Sequence, residues 1–551
     1  MKNALTEWES ILGPGSVVVD SDTLQSCSTA TFATSQRVPA VIRPESREQV
    51  QQCLRVATRF GIKVYPVSTG KNWGYGSSVP VIDGCVIMDL GRMRRIVDFN
   101  ETLGFVTVEP GVTQQQLFEF LRDRRSNLWM DATGSSPDCS LIGNTLERGF
   151  GHTPYGDHSN NFSNLEVVLP SGEFLETGFS QAAGVQAAPV YRAGLGPQLD
   201  GLFVQSNLGV VTRMTIWLMP EPEVFQAFFF RCALDADLPA IVDALRPLRL
   251  NGTIRSGIHL ANDYRVLSGI QQYPWKETGN ATPLTRDQIR TLREKLGFGA
   301  WNGSGALYGT AKQVAEGRRL IRKALRGNVL KLIFLNDRML AFASRFSGPF
   351  RLLTGMDLRK TLELVLPVYG LLRGIPTDQS LKSAYWRKRT PPPAEKDLDR
   401  DRCGLMWCAP VAPAEGSHAS VLATLASEIL LRHGFEPMLS ITLITERAIV
   451  CVVSITYDRD VAGEDDRAKV CLEELLASFA TKGYMPYRLG IQSMRLSRPE
   501  GVPGQILDAL KQHVDPAGIL SSGRYEARDD DANRGPDGAS IHRDLGKVRG
   551  D

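Results

Sequence analysis

The sequence predicts an α+β protein made of two large units, or of one unit with a substantial insertion. Short β-branched runs alternate with helical periods and glycine-rich turns from about Val38 to Pro220, and a second alternation runs from about Glu221 to Arg488. The 551 residues exceed the usual size of a single domain. The hydrophobic fraction of 42% and the charged fraction of 22% are those of an ordinary globular chain.

The elements of the first unit are predicted from local patterns. A helix is indicated where apolar residues recur every three or four positions, and a strand where a short β-branched run ends in glycine or proline. A hairpin is indicated where two such runs flank a Ser-Gly turn. These patterns predict strands at 38–44, 63–70, 84–90, 105–111 and 208–220, helices at 47–61 and 114–124, and a hairpin at 164–178.

The second unit and the end of the chain follow the same rules. Helices are predicted at 241–250, 420–434 and 505–514, and a strand at 446–458. The tail 527–551 is charged and nearly free of large apolar residues, so we expect it to be disordered. The expected division is a first domain at 1–222 with its core at about 37–220, a second at 223–490, a C-terminal segment at 491–526, and the tail.

Two stretches of the second unit are expected to be insertions or loops. Residues 338–373 combine many apolar residues with arginines, lysines and few acids. A buried helical pair is the favoured interpretation, and a lid or membrane-surface element for a greasy substrate is the alternative. Residues 387–402 are dominated by charged residues and prolines, and we expect a solvated loop.

Composition excludes several classes of function. The net charge of +3 and the lack of a long basic tract argue against a nucleic-acid partner. The nine cysteines form no CxxC pair, which indicates reduced thiols in a cytoplasmic protein without a zinc site or other metal. The first ten residues are polar and acidic, unlike a secretory signal, and no run of 18 apolar residues predicts a membrane span.

Two glycine-rich segments are candidates for binding a cofactor. The run PVSTGKNWGYGSS (66–78) follows a predicted strand and lets backbone N–H groups approach an anion. It is neither GxGxxG nor a P-loop, and alone it is more often a structural turn. The run SLIGNTLERGFGHTPYGDH (140–158) is polar and non-periodic. Together with EPGVT (109–113) and QSNLGVVT (205–212), these segments suit a planar, polar cofactor.

The order of these motifs, continued by DGLFVQSNLGVVTRMTIWLMP (200–220) and VDPAGIL (514–520), resembles the vanillyl-alcohol oxidase and p-cresol methylhydroxylase family. The resemblance runs from about Arg37 to Tyr525. It implies a two-part FAD-binding domain closed by the C-terminal segment, with an α+β substrate cap between. The FAD-binding residues it implies are Ser68, Thr69, Gly70, Lys71, Asn72, Gly74, Ser140, Gly143, Asn144, Gly151, Tyr155, Gly156, Asp157, Gly209 and Val210.

The resemblance also implies where a substrate binds. Tyr75 lies in NWGYG, and Tyr487 with Arg488 lies in KGYMPYRLG, positions at which the family holds a phenolic oxygen as a phenolate. A phenol has a pKa near 10, so two donors and a fixed cation favour its anion at neutral pH. Either tyrosine alone would more simply be a core aromatic. The three together predict a small-molecule phenolic substrate, oxidised through a p-quinone methide.

This chain departs from the family at the positions that tether FAD covalently. Arg447 and Ala448 replace two histidines, and Ala384 replaces a tyrosine, with Tyr385 one residue out of register. We therefore expect noncovalent FAD. Two other residues, Cys139 and His152, are the remaining attachment candidates, although a buried small residue and a satisfied polar ring are the simpler interpretations.

A second departure concerns the product. Asp138 lies near the place of the family's acidic residue but out of register, which weakens hydroxylation and favours desaturation or oxidative decarboxylation of a tyrosine-like side chain. Arg447 is a candidate for binding a substrate carboxylate, and an ion pair with Glu446 is the equal alternative. Oxidation of an alkylphenol, oxidation of a sugar or hydroxy acid on the same fold, a non-catalytic FAD protein and a homodimer also stay open.

Overall fold

The computed structural model describes residues 1–182, 184–340, 358–496, 499 and 501–526. Its α-helices are α1 Lys2–Leu12, α2 Ser21–Cys27, α3 Arg47–Phe60, α4 Gln114–Asp123, α5 Leu141–Leu146, α6 Leu238–Leu250, α7 Asp263–Ile270, α8 Arg286–Leu296, α9 Ala311–Leu325, α10 Leu358–Leu371, α11 Gly416–Arg432, α12 Glu464–Thr481 and α13 Val502–Val514. Residues 341–357 of the predicted insertion and the predicted disordered tail 527–551 lie outside the described residues.

The strands of the first unit are β1 Val17–Val18, β2 Val41–Ile42, β3 Val64–Val67, β4 Val86–Asp89, β5 Ile96–Asn100, β6 Phe105–Val108, β7 Leu128–Trp129, β8 Phe162–Val168, β9 Phe174–Glu176, β10 Val210–Trp217 and β11 Met219–Pro220. Those of the second unit are β12 Val224–Cys232, β13 Ile258–Asn262, β14 Trp301–Gly309, β15 Lys331–Leu335, β16 Cys403–Cys408, β17 Val411–Pro413, β18 Met438–Leu443 and β19 Ala448–Asp458.

The first unit contains two main sheets with separate cores. A four-stranded sheet, in the order β1-β2-β4-β3, packs against α1 and α3. A five-stranded antiparallel sheet, in the order β5-β6-β10-β8-β9, packs against α4. The predicted helix at 47–61 is confirmed as α3, which Ser46 caps at its start and Gly61 ends in the left-handed conformation. The predicted hairpin at 164–178 is confirmed as β8 and β9.

The second unit is an antiparallel sheet in the order β15-β12-β14-β13-β18-β19-β16, with β17 added beside β19. Alternate side chains of each strand point to opposite faces. Leu260, Ile441 and Val453 face a large core formed with α6, α9, α11 and α12. The opposite face, which we call the inner face, is partly covered by α7, whose Leu267 packs on Met438.

The C-terminal segment returns to the first unit after α13. The N–H of Val64 donates to the carbonyl of Ile519 at 2.7 Å, and the N–H of Ser521 donates to the carbonyl of Val64 at 2.9 Å. Ile519 and Leu520 are fully buried in the core of the four-stranded sheet. The sequence-derived expectation of a cofactor domain closed by its C-terminal segment is therefore confirmed.

The expectation of a solvated loop at 387–402 is wrong at its first residues. Arg387 and Lys388 are buried, because each meets a buried carboxylate across the fold. The Arg387 guanidinium lies 2.9 Å from Glu436, and the Lys388 ammonium lies 2.8 Å from Asp458. Charged side chains of this type are rarely buried unless a partner satisfies them. A run of charges therefore gave no warning of burial, since the partners are distant in sequence.

Candidate active site

The turn that follows β3 can surround an anionic group with backbone N–H groups. Gly70 and Gly74 have φ angles of 70° and 78°, a left-handed conformation that glycine adopts without steric penalty. Within the described part of the chain, no hydrogen-bond acceptor is found for the N–H groups of residues 69–72. Consecutive unpaired N–H groups in such a turn are typical of phosphate sites, so this turn fits the diphosphate of FAD.

Close packing explains one of these glycines. A Cβ atom on Gly74 would lie 2.0 Å from the ring of Trp407 on β16. The Gly74 N–H also donates to the hydroxyl of Thr31 at 2.9 Å, and the Trp407 indole donates to the carbonyl of Trp73 at 3.0 Å. The turn is therefore fixed directly against the inner face of the cap sheet.

The second glycine-rich segment lies against the first. The Ser140 N–H donates to the Thr69 hydroxyl at 3.1 Å, and a Cβ on Gly143 would lie 2.6 Å from the hydroxyl oxygen of Ser68. The Ser140 side chain caps α5 by accepting the Gly143 N–H at 2.9 Å. Two segments about 70 residues apart in sequence thus form one surface, as the resemblance predicts.

Sequence reasoning missed a buried carboxylate behind this surface. Asp131 accepts the Thr153 N–H at 2.6 Å and contacts the His158 Nε2 atom at 2.6 Å. The other ring nitrogen of His158 lies 2.6 Å from the Asn144 side-chain oxygen. Burial raises the pKa of Asp131, but the hydrogen bond and charge of His158 and the hydrogen bonds from Thr153 together outweigh burial and hold that pKa below its ordinary value. A Cβ on Gly151 would lie 1.4 Å from Asp131, so this network needs glycine there.

The other predicted cofactor residues have local structural roles in the described chain. Lys71 lies 2.9 Å from the carboxylate of Asp397, so its charge is already partnered. Asp157 accepts hydrogen bonds from Ser159 and Asn160 within one short turn. Tyr155 lines a pocket with Asp131 and His158, and the backbone of Gly156 is hydrogen-bonded to Thr153 and Gly151. Gly209 and Val210 lie at the start of β10, where a Cβ on Gly209 would lie 2.4 Å from Val167.

The three residues predicted to bind a phenol lie together, and we call them the clamp: Tyr75, Tyr487 and Arg488. The two tyrosine hydroxyls lie close enough for each to shift the pKa of the other, and the guanidinium carbon of Arg488 lies 4.4 Å from the centre of the Tyr75 ring. Burial raises the pKa of both tyrosines, and Arg488 only partly offsets this. Both hydroxyls therefore stay protonated at neutral pH and can donate hydrogen bonds.

A second layer that the sequence did not reveal holds the clamp in place. Glu147 lies 3.4 Å from Nε of Arg488, forms an ion pair with Arg524, and accepts the Tyr525 hydroxyl at 2.9 Å. Burial raises the pKa of Glu147, but Arg524 and Arg488 outweigh it and lower that pKa overall. Arg488 also donates to the side-chain oxygen of Asn72, which connects the clamp to the cofactor turn. The spacing of these residues along the chain gives no signal for this arrangement.

The remaining two predicted catalytic residues are not brought to the clamp by any contact in the described chain. Arg447 lies at the tip of the β18-β19 hairpin with 80% of its side chain exposed, 4.0 Å from the carboxylate of Glu446. Asp138 is exposed, and its N–H donates to the Ser136 hydroxyl at 3.2 Å. For Arg447, this placement favours the ion-pair alternative over substrate binding.

The family's tether positions hold no side chain that could carry a flavin. Ala384 is buried, and Tyr385 donates its hydroxyl to Asp401 from a 3₁₀ helix, not from a strand. Cys139 is buried, which raises the pKa of its thiol and disfavours the nucleophilic thiolate. His152 stacks on His259 of β13 with 4.2 Å between ring centres, and burial lowers the pKa of both rings.

The described chain contains no group of three or more His, Cys, Asp or Glu side chains that could hold a metal ion. Among its helices, none is long and apolar enough to cross a membrane.

Comparison with known proteins adds to this geometry. A family model described as an FAD binding domain matches residues 38–178. The chain is 45% identical over 530 residues to the 1'-carboxy-chondrochloren decarboxylase of Chondromyces crocatus, covering 96% of this chain and 98% of that protein. It is 31% identical over 530 residues to the 4-cresol dehydrogenase [hydroxylating] flavoprotein subunit of Pseudomonas putida, covering 95% and 94%. A crystal structure of p-cresol methylhydroxylase with substrate bound superposes with a TM-score of 0.85 at 29% identity, covering 96% of each chain.

Proposed function

Because the chain belongs to the vanillyl-alcohol oxidase and p-cresol methylhydroxylase family of FAD-dependent oxidoreductases, we propose that it oxidises a para-hydroxyphenyl compound carrying a carboxylate and releases that carboxylate as carbon dioxide. The observation that carries the proposal is the clamp. Two protonated hydroxyls and a guanidinium meet there at one buried point. The relative at 45% identity, named a decarboxylase, supports the choice of product.

The clamp would act by binding the substrate as its phenolate. Tyr75 and Tyr487 donate hydrogen bonds to the phenolate oxygen, and Arg488 supplies the positive charge. A phenol with an ordinary pKa near 10 is then ionised at neutral pH. Glu147 keeps the guanidinium oriented without neutralising it fully, because Glu147 is shared with Arg524.

The substrate and FAD are the only reagents that the reaction needs until the cofactor is reduced. Bound FAD supplies the hydride acceptor, its N5 atom. Electron release from the phenolate lets the benzylic carbon lose a hydride, which leaves a p-quinone methide. The electron pair of the bond between the adjacent carbon and the carboxylate then moves toward the ring. Carbon dioxide leaves, a carbon–carbon double bond forms, and the phenolate is restored.

The alternative product, a side-chain alcohol, needs a water molecule held by a base. The candidate for that base, Asp138, is an exposed side chain and not a buried carboxylate. Loss of carbon dioxide needs only that the substrate carboxylate be oriented. This difference favours decarboxylation over hydroxylation.

The product of a single turnover tests the proposal. The purified protein is mixed without oxygen with N-acetyltyrosine labelled in its carboxyl carbon, and the gas phase and the products are analysed. We expect flavin reduction, labelled carbon dioxide and the unsaturated N-acetyl amine. A product that keeps its carboxylate and gains an oxygen atom would establish the hydroxylation alternative. Flavin reduction by hydroxy acids but by no phenol would establish the non-phenolic rival.

A further inference from the structure

The inner face of the cap sheet contains an open floor beside the clamp. Ala261, Ser440 and Val452 are paired with one another across three adjacent strands and point to this face. All three are partly exposed, although they lie in central strands of a sheet whose other face is buried. A partly exposed row in the middle of a sheet leaves space above it in which a molecule can bind.

This floor leads to the clamp. The N–H of Tyr487 donates to the carbonyl of Ala409 at 3.2 Å, and Ala409 follows β16 directly. The neighbouring carbonyl of Pro410 accepts the Cys451 N–H at 3.0 Å, which places this bend beside Val452 of β19. A substrate whose phenolic oxygen is in the clamp would therefore lie across β16 and β19.

Arg265 of α7 extends over the far side of the same floor. Its Nη1 atom donates to the Ser383 hydroxyl at 2.9 Å and lies 3.5 Å from the Ser454 hydroxyl. Its guanidinium carbon lies 5.6 Å from the centre of the Trp407 ring. Ser454 and Trp407 are paired in register on β19 and β16. The guanidinium is thus located over these two strands at Ser454, which is the next residue after Val452 to face inward on β19.

Among the described residues no carboxylate forms an ion pair with the partly buried Arg265, and burial lowers its pKa to about 10 with no acid to offset the effect. Other arginines differ: Arg387 pairs with Glu436, and Arg488 pairs with Glu147. Arg249 is satisfied instead by four backbone carbonyls. An arginine has five N–H donors, and both hydrogen bonds of Arg265 come from one nitrogen.

A partly buried cation without a carboxylate partner is costly, and it is stabilised when an anion binds beside it. The separation suits an elongated anion. The backbone of the Tyr487 segment is two inter-strand spacings of about 4.8 Å from β19, and the bend opposite Cys451 is three positions of about 3.3 Å from Ser454. The side chains of the clamp and of Arg265 each cover part of that interval, and a tyrosine-like acid, with its phenolic oxygen and its carboxylate at opposite ends, can span the rest.

We infer that Arg265 binds the carboxylate of the substrate while the clamp binds its phenolate. The inference rests on the proposed function and names the group that makes carboxylates the preferred substrates. It replaces the sequence-based assignment of this role to Arg447, whose exposed side chain faces Glu446. Arg265 holds the carboxylate in a fixed orientation, so that the bond that breaks can align with the ring system. Ser383 and Trp407 keep the guanidinium in place.

The test compares two probes that differ only in charge, N-acetyltyrosine and N-acetyltyrosinamide, with 4-ethylphenol as a reference phenol. Anaerobic flavin reduction gives a dissociation constant and a limiting rate for each probe. In the unmodified protein we expect the acid to bind more tightly than the amide. In Arg265→Met we expect about 10- to 200-fold weaker binding of the acid, the range for one charge-assisted contact, and less than about 2-fold change for the amide and for 4-ethylphenol. Arg447→Met, the matched control, should leave all three unchanged.

The other outcomes are distinct from one another. Equal binding of acid and amide by the unmodified protein overturns the inference. This comparison needs no variant, so the inference can be tested even if Arg265→Met does not fold. A similar loss for all three probes in Arg265→Met assigns Arg265 a structural role and also overturns it. Reduction by 4-ethylphenol but by neither tyrosine derivative rejects the proposed substrate class, and the inference with it. Failure of the acid preference alone, with both derivatives active, leaves the proposed phenol oxidation intact.

Discussion

The cofactor turn and the substrate face of the cap are built in different ways. Residues 68–74 and 140–157 are predicted to bind the cofactor through their backbone, and their glycines allow close approach between two chain segments. The clamp and Arg265 depend instead on side chains that come from three separate stretches of sequence. A site made of backbone is encoded in contiguous motifs, whereas a site made of side chains depends on tertiary contacts. Substitutions should therefore act differently on the two regions.

The largest effect is expected in the cofactor region, from Gly151→Ala. The new Cβ would lie 1.4 Å from the Asp131 carboxylate, and Ala132 and Asp131 are part of the buried loop behind the cofactor surface. No small side-chain movement relieves such an overlap, so we expect loss of bound FAD and of soluble protein. Flavin absorbance per mole of purified chain measures the effect. Gly201→Ala is the matched control, since nothing lies within 4 Å of its added methyl group. Normal flavin content in Gly151→Ala would contradict the packing argument.

The next largest effect is expected behind the clamp, from Glu147→Gln. This change leaves Arg488 and Arg524 buried without their shared carboxylate, which typically costs about 3–5 kcal/mol. Because the folded-state pKa of Glu147 is lowered, its contribution to stability is present above the ordinary glutamate pKa of about 4.3 and is lost as the pH falls through the folded value. The variant should be less stable than the unmodified protein at neutral pH. Its stability should also decrease less as the pH is lowered.

Thermal unfolding between neutral and acidic pH measures this difference. Glu173→Gln is the control, because the exposed side chain of Glu173 has no polar contact in the described chain beyond a hydrogen bond from the hydroxyl of Ser171. If the unfolding temperature falls equally steeply with decreasing pH in Glu147→Gln and in the unmodified protein, Glu147 is not the titrating group.

The sequence predicted the α+β fold and its local elements well, for a physical reason. Periodicity and capping are local, so α3 and the β8-β9 hairpin could be predicted from their own residues. Glu147 and Arg265 could not be predicted, because each is defined by partners on other elements. The burial of Lys388 was missed for the same reason, since its partner Asp458 is 70 positions away.

A smaller effect, confined to chemistry, is expected from the clamp itself. Tyr487→Phe and Arg488→Lys each remove one charge-assisted contact to the phenolate, which costs about 1.5–3 kcal/mol, or roughly 10- to 200-fold in the rate of flavin reduction. Lysine fails at position 488 because it lacks the planar fork of donors. Stopped-flow reduction by a phenol measures the loss, and Tyr191→Phe, at an exposed site, is the control. An O-methylated substrate should not reduce the flavin at all. Reduction by that ether at the normal rate would remove the phenolate from the mechanism.

No effect on FAD attachment is expected from altering the side chains that remain as possible flavin tethers. Ala384 and Ala448 stand at the family's attachment positions and carry no nucleophile. Tyr385 is committed to Asp401, and burial raises the pKa of the Cys139 thiol. Acid precipitation of the unmodified protein should therefore release all of its FAD into the supernatant, and Cys139→Ala and His152→Ala should release the same fraction. Flavin retained in the precipitate, together with a flavin-bearing peptide in its digest, would show a covalent bond. Loss of that retention in one of the two variants would identify the attachment residue.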